Sequence, residues 1–91
     1  MLIKEAKTVA ATDPLLKLEA NNKLSDLELQ ADLAGVGKDF AALMTLKAPE
    51  LKEVISDAEL KSLIDAIKAG TASNDQLTRF IGLANKVLQK I

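Results

Sequence analysis

A chain of 91 residues and 9.7 kDa is the size of one small domain, since domains commonly run to about 100 to 150 residues. Apolar residues make up 48% and charged residues 27%, with twelve Lys and Arg against thirteen Asp and Glu; this balance predicts a folded domain over residues 1–91 rather than a disordered chain. His, Cys, Trp and Tyr are all absent.

Those absences narrow the chemistry. Without Cys there is no disulfide scaffold, no thiolate zinc site and no thiol nucleophile. Without His there is no side chain that ordinarily titrates near neutrality and no imidazole metal ligand. The expectation is a protein that is not an enzyme, with no cofactor, no metal and no small-molecule substrate. The formal net charge of -1 comes from mixed Lys, Asp and Glu without a long run of one sign, so no electrostatic footprint for nucleic acid is expected. No apolar run approaches the roughly 20 residues of a membrane span, and Met1-Leu2-Ile3-Lys4-Glu5 lacks a signal-peptide core. A cytoplasmic or virion protein, not a secreted one, is expected.

Ala and Leu supply 30 of the 91 residues, and the aromatics are only Phe40 and Phe80. This favours helix over strand and predicts an all-α bundle of five to six short helices, at about residues 2 to 11, 14 to 22, 26 to 46, 49 to 55, 57 to 69 and 74 to 90. Pro14 and Pro49 each suit the first position of a helix, Pro14 with Asp13 as its cap. Ser25 with Glu28, Ser56 with Glu59 and Ser73 with Gln76 have the spacing of capping boxes, in which the Ser side chain accepts from the amide three residues on and the Glu or Gln reaches back. The Ser25 box predicts a helix break near Asn21-Asn22. A single helix over 14 to 46 is the alternative.

Within 26 to 46, Leu29, Leu33, Val36, Phe40 and Leu43 recur at spacings of 4, 3, 4 and 3, the seam of a supercoiled pair. Gly35 and Gly37 interrupt that stretch, and close helix approach or a kink is the expected reason, with a hinge or partner contact as the functional alternative. Further on, Leu60, Leu63, Ile64 and Ile67 form one stripe, and Leu77, Phe80, Ile81, Ala84, Val87, Leu88 and Ile91 another. With Gly70 as a helix stop, these two faces predict an antiparallel C-terminal helical hairpin. Leu60 to Leu83, with Ala-Ile-Lys-Ala-Gly, Ser73, Asp75-Gln76-Leu77 and Phe80-Ile81, resembles the helical hairpin in the small domain of phosphoribosyltransferases related to anthranilate metabolism. The resemblance covers about a quarter of the chain and rests on capping and core residues, so it implies a hairpin and no activity.

Asp26, Glu28, Asp32 and Asp39 read as capping, dipole and polar-face residues rather than a metal or acid–base site. Gly35-Val36-Gly37-Lys38 lacks the preceding strand and the ending of a phosphate loop. What remains is apolar surface. Leu27, Met44 and Leu46 lie off the 29–43 seam, Leu83 lies beside the last stripe, and Leu2, Ile3 and Ile91 are apolar chain ends. These seven are the expected protein-interface residues of a helical subunit in a larger homo- or hetero-oligomer, a structural component of a phage or bacterial assembly. The alternative is a monomeric adaptor, immunity or inhibitor protein that docks on one macromolecule through a helix face or through acidic Asp26, Asp32, Asp39, Glu50, Glu53 and Asp57.

Overall fold

The computed structural model describes residues 14–91. The expected helix over 2 to 11, the Asp13 cap and the interface residues Leu2 and Ile3 lie outside the described residues. Among the described residues there are four α-helices, α1 (Pro14–Leu33), α2 (Phe40–Lys47), α3 (Asp57–Ala69) and α4 (Asn74–Gln89), with a 3-10 turn at Pro49–Glu53 and no strand.

The first correction to the sequence reading is that α1 runs without a break through Asn21, Asn22 and Ser25. Ser25 is exposed in mid-helix, so it starts nothing. Ser and Asn each cost a helix only about 0.5 kcal/mol relative to Ala. Against that stands the burial of Leu24 and Leu27, worth about 1.5 to 3 kcal/mol per leucine. The tertiary term wins and the helix continues.

The second correction is at Ala34–Asp39, where the expected helix over 26 to 46 is interrupted. Gly35 sits at φ 79° and Gly37 at φ 64°, the left-handed region where a side chain costs about 1 to 2 kcal/mol. Gly35 N–H donates to Asp32 O at 3.1 Å and Val36 N–H to Ala31 O at 3.1 Å, the paired bonds of a Schellman stop. A Cβ at either glycine would meet nothing within 4 Å. Close helix approach is therefore not their reason; a left-handed backbone that only glycine adopts cheaply is. Asp39 then starts α2, its carboxylate accepting from Ala42 N at 3.0 Å. Asp39 is a cap here, not a polar-face residue.

Of the other punctuation, Ser73 forms its whole capping box and Ser56 only the half made by its own side chain. Ser56 Oγ accepts from Glu59 N at 3.2 Å to open α3. Ser73 Oγ accepts from Gln76 N at 3.2 Å while Gln76 Oε1 accepts from Ser73 N at 2.8 Å, a complete capping box at α4. Between them Gly70, at φ 75°, ends α3 with Gly70 N–H donating to Ile67 O and Thr71 N–H to Ala66 O, the same stop that ends α1. The stretch expected as a helix over 49 to 55 is the 3-10 turn, with Pro49 at its start.

Helix α1 lies mainly against α4, and α2 against α3 and the 3-10 turn. Ala20, Leu24, Leu27 and Ala31 on α1 join Leu43 and Met44 on α2, Leu63 and Ile67 on α3, and Leu77, Phe80, Ala84 and Val87 on α4 in one connected buried cluster. Every buried residue among those described is apolar.

Candidate interaction surface

The outer side of α1 is where the molecule departs from an ordinary amphipathic helix. Its inner stripe, Ala20, Leu24, Leu27 and Ala31, is buried. At 3.6 residues per turn, Leu15, Leu18, Leu29 and Leu33 fall within an arc of about 60° on the opposite side of the helix. Leu15 and Leu33 are 78% and 73% exposed, Leu18 and Leu29 58% each. Single exposed leucines are normal on a protein surface, but four in line along one helix form a stripe of the kind that marks contact sites. Asn22 and Asp26, both exposed, occupy the middle of the same stripe.

This arrangement corrects the expected seam. Leu29 and Leu33 face outward while Phe40 and Leu43 are buried, the interruption at Gly35 and Gly37 having separated the two pairs onto different helices. The inward seam of α1 is 20, 24, 27 and 31, spaced 4, 3 and 4. That spacing is present in the sequence and is as regular as the one through Leu29, Leu33, Val36, Phe40 and Leu43.

The expected interface residues divide accordingly. Leu27, Met44 and Leu83 lie inside the buried cluster, at 0%, 0% and 5% exposure. Leu46 and Ile91 face solvent, at 61% and 49% exposure. The leucines of the outer α1 stripe were not singled out for contact from the sequence.

The acidic residues of the adaptor reading are partly engaged within the chain. Asp39 caps α2, and Asp57 Oδ1 accepts from Thr45 Oγ1 at 3.2 Å. Glu50 Oε1 stands 2.9 Å from Lys90 Nζ, and this bond, followed by one from its own backbone N–H, holds its carboxyl below the usual carboxylate range. Lys68 links three helices: its Nζ lies 3.6 Å from Glu28 Oε1 on α1 and 4.9 Å from the centre of the Phe40 ring on α2.

Beside that lysine a shallow groove of about 240 Å³ is lined by Lys38, Asp39, Phe40, Ala41, Lys61, Ile64, Asp65 and Lys68. Its charges are mixed and its floor is the Phe40 and Ile64 side of the core. Among the described residues, no three carboxylates converge where a metal ion could be held, and no helix is long and apolar enough to cross a membrane.

The described residues therefore define an all-helical globule whose first described helix carries apolar residues on two opposite faces, one buried and the other exposed. No family model, no curated protein and no solved structure matches the chain.

Proposed function

We propose that this protein is a non-enzymatic helical interaction module that works as a subunit of a larger protein assembly. The carrying observation is the outer leucine stripe of α1, Leu15, Leu18, Leu29 and Leu33, exposed directly opposite the stripe that packs on the core. Burying a leucine is worth about 1.5 to 3 kcal/mol, so a partner that covers four of them gains a substantial driving force before any polar contact is counted. Leu46, exposed on α2, is a second point of contact in this reading. The antiparallel hairpin expected of α3 and α4 serves as the platform behind α1. The absence of His and Cys accords with a role in assembly rather than in catalysis.

Chemical crosslinking of the chain in its native cells tests the reading. Adducts heavier than the 9.7 kDa chain that disappear when Leu18 and Leu29 are both replaced by Asp support it. Recovery of the wild-type chain only as a free monomer overturns it.

A further inference from the structure

The outer stripe of α1 reads nearly the same in both directions. Along the exposed side run Leu15, Leu18, Asn22, Asp26, Leu29 and Leu33, flanked by exposed Ser25 and Glu19, with leucine pairs at both ends and polar residues at the centre. Residues 15 and 26, 18 and 29, and 22 and 33 are each separated by 11 positions, a period that keeps a stripe on one side of a nearly straight helix. A surface that is close to its own reverse suits a two-fold interface, in which each residue meets its counterpart on an identical copy.

We propose that the occupant of this face is a second copy of the same chain, its α1 running antiparallel to the first and centred near Leu24. This rests on the reading of the protein as an assembly module and names its partner. In that register Leu15 meets Leu33 of the second copy and Leu18 meets Leu29, each contact occurring twice. Asn22 meets Asp26 of the second copy, where the carboxamide N–H donates to the carboxylate, and Lys23 stands on the flank beside that same carboxylate.

Charge decides the orientation. A parallel pairing would bring the two Asp26 carboxylates together at the centre of an apolar stripe, an arrangement that excludes itself by like-charge repulsion. The antiparallel pairing replaces that clash with an amide and an ammonium group facing each carboxylate. Among the described residues neither Lys23 nor Asp26 has an ion-pair partner within its own chain, so both charges are available for this use. Polar groups at the middle of such a seam fix register and direction, at some expense of affinity.

The size of the contact sets its strength. Helix α1 has 20 residues and is about 30 Å long; one helix pair of that length belongs with interfaces below about 1,200 Å² in total, which are weak or transient. The dimer is accordingly expected to form and dissociate with concentration.

The test uses the purified full chain. Sedimentation equilibrium over a hundredfold concentration range is expected to show the mass rising from 9.7 kDa towards twice that value. Replacing Leu18 and Leu29 by Asp is expected to raise the dissociation constant by at least about a hundredfold, roughly a factor of ten per leucine pair lost. Unchanged helical circular dichroism will show that the variant still folds. Because the chain has no Cys, single thiols report direction: a mixture of Leu15→Cys and Leu33→Cys chains is expected to give the mixed disulfide on mild oxidation. Predominant Leu15→Cys homodimers overturn the antiparallel register. A wild-type monomer at every concentration overturns the pairing itself, while adducts in native cells that depend on Leu18 and Leu29 would then leave the assembly reading standing with a different partner.

Discussion

Leu27 and Leu29 are two positions apart on α1 and face opposite sides of it: Leu27 has no exposed surface, whereas Leu29 is 58% exposed. The first is surrounded by core side chains, and the second is bounded by water. Replacing Leu27 by Ala is expected to cost about 2 to 5 kcal/mol through lost burial and the cavity left behind. Replacing Leu29 by Ala is expected to change monomer stability by less than about 0.5 kcal/mol. Urea denaturation at low protein concentration separates the two, and equal costs would place both leucines in the core.

The same contrast holds on α2, where Met44 is buried and Leu46 exposed. Met44→Asp is expected to unfold the chain, since it leaves an unpaired charge in an apolar interior. Leu46→Asp is expected to leave the circular dichroism spectrum and melting temperature near those of the parent. A folded Met44→Asp protein would show that α2 packs differently.

Gly35, Gly37 and Gly82 divide by backbone angle rather than by space. Gly35→Ala and Gly37→Ala should each destabilise by about 1 to 2 kcal/mol, because the left-handed φ penalises a Cβ even where nothing crowds it. Gly82 lies on α4 without a positive φ and with open space where a Cβ would stand. Gly82→Ala should therefore stabilise by about 0.5 to 1 kcal/mol. Thermal melts of the three variants decide this, and a destabilised Gly82→Ala would contradict the open surface described at that position.

Ser25 and Ser73 test the distinction between a capping sequence and a capping structure. Ser73→Ala removes the acceptor for Gln76 N–H and is expected to cost about 1 kcal/mol. Ser25→Ala, in the middle of α1, is expected to be neutral or to stabilise by up to about 0.5 kcal/mol, Ala being the better helix former. A loss at Ser25 equal to that at Ser73 would restore the helix break that the sequence predicts there.

Glu50 supplies a dependence on pH. Its carboxyl is held below the ordinary range, chiefly by the hydrogen bond with Lys90 and then by its own backbone N–H. A carboxylate whose folded value is depressed contributes stability above its unfolded value and loses that contribution as pH falls through the folded value. The link between the 3-10 turn and the end of α4 should weaken in acid accordingly. Carboxyl chemical shifts followed by NMR should give Glu50 a midpoint below that of a free glutamate, and Lys90→Ala should return most of the difference. An unchanged midpoint in Lys90→Ala would remove the ion pair from the account.

Much of the local structure was legible in the residues themselves. The all-helical class follows from the abundance of Ala and Leu, and the start of α3 and of α4 from Ser56 and Ser73. Gly70 marked the end of α3, because a left-handed stop needs no more than a residue without a Cβ and two amides within reach. Such signals act over four or five residues and are present in any chain that contains them.

The partition of α1 was different in kind. Ser25-Asp26-Leu27-Glu28 carries the same capping chemistry as Ser73-Asn74-Asp75-Gln76, and only the core decides between them: Leu24 and Leu27 have somewhere to be buried if the helix continues, and burial exceeds the gain from one cap. Likewise, two apolar stripes were written on α1, and nothing local says which one faces inward. The stop and turn at Gly35 and Gly37 begin a separate helix on which Phe40 and Leu43 are buried, while Leu29 and Leu33 on α1 stay exposed. Residue chemistry by itself determined the helical class and several of the stops. Tertiary packing alone decided which leucines became core and which stayed exposed, because hydrophobic burial has no direction until other helices are in place.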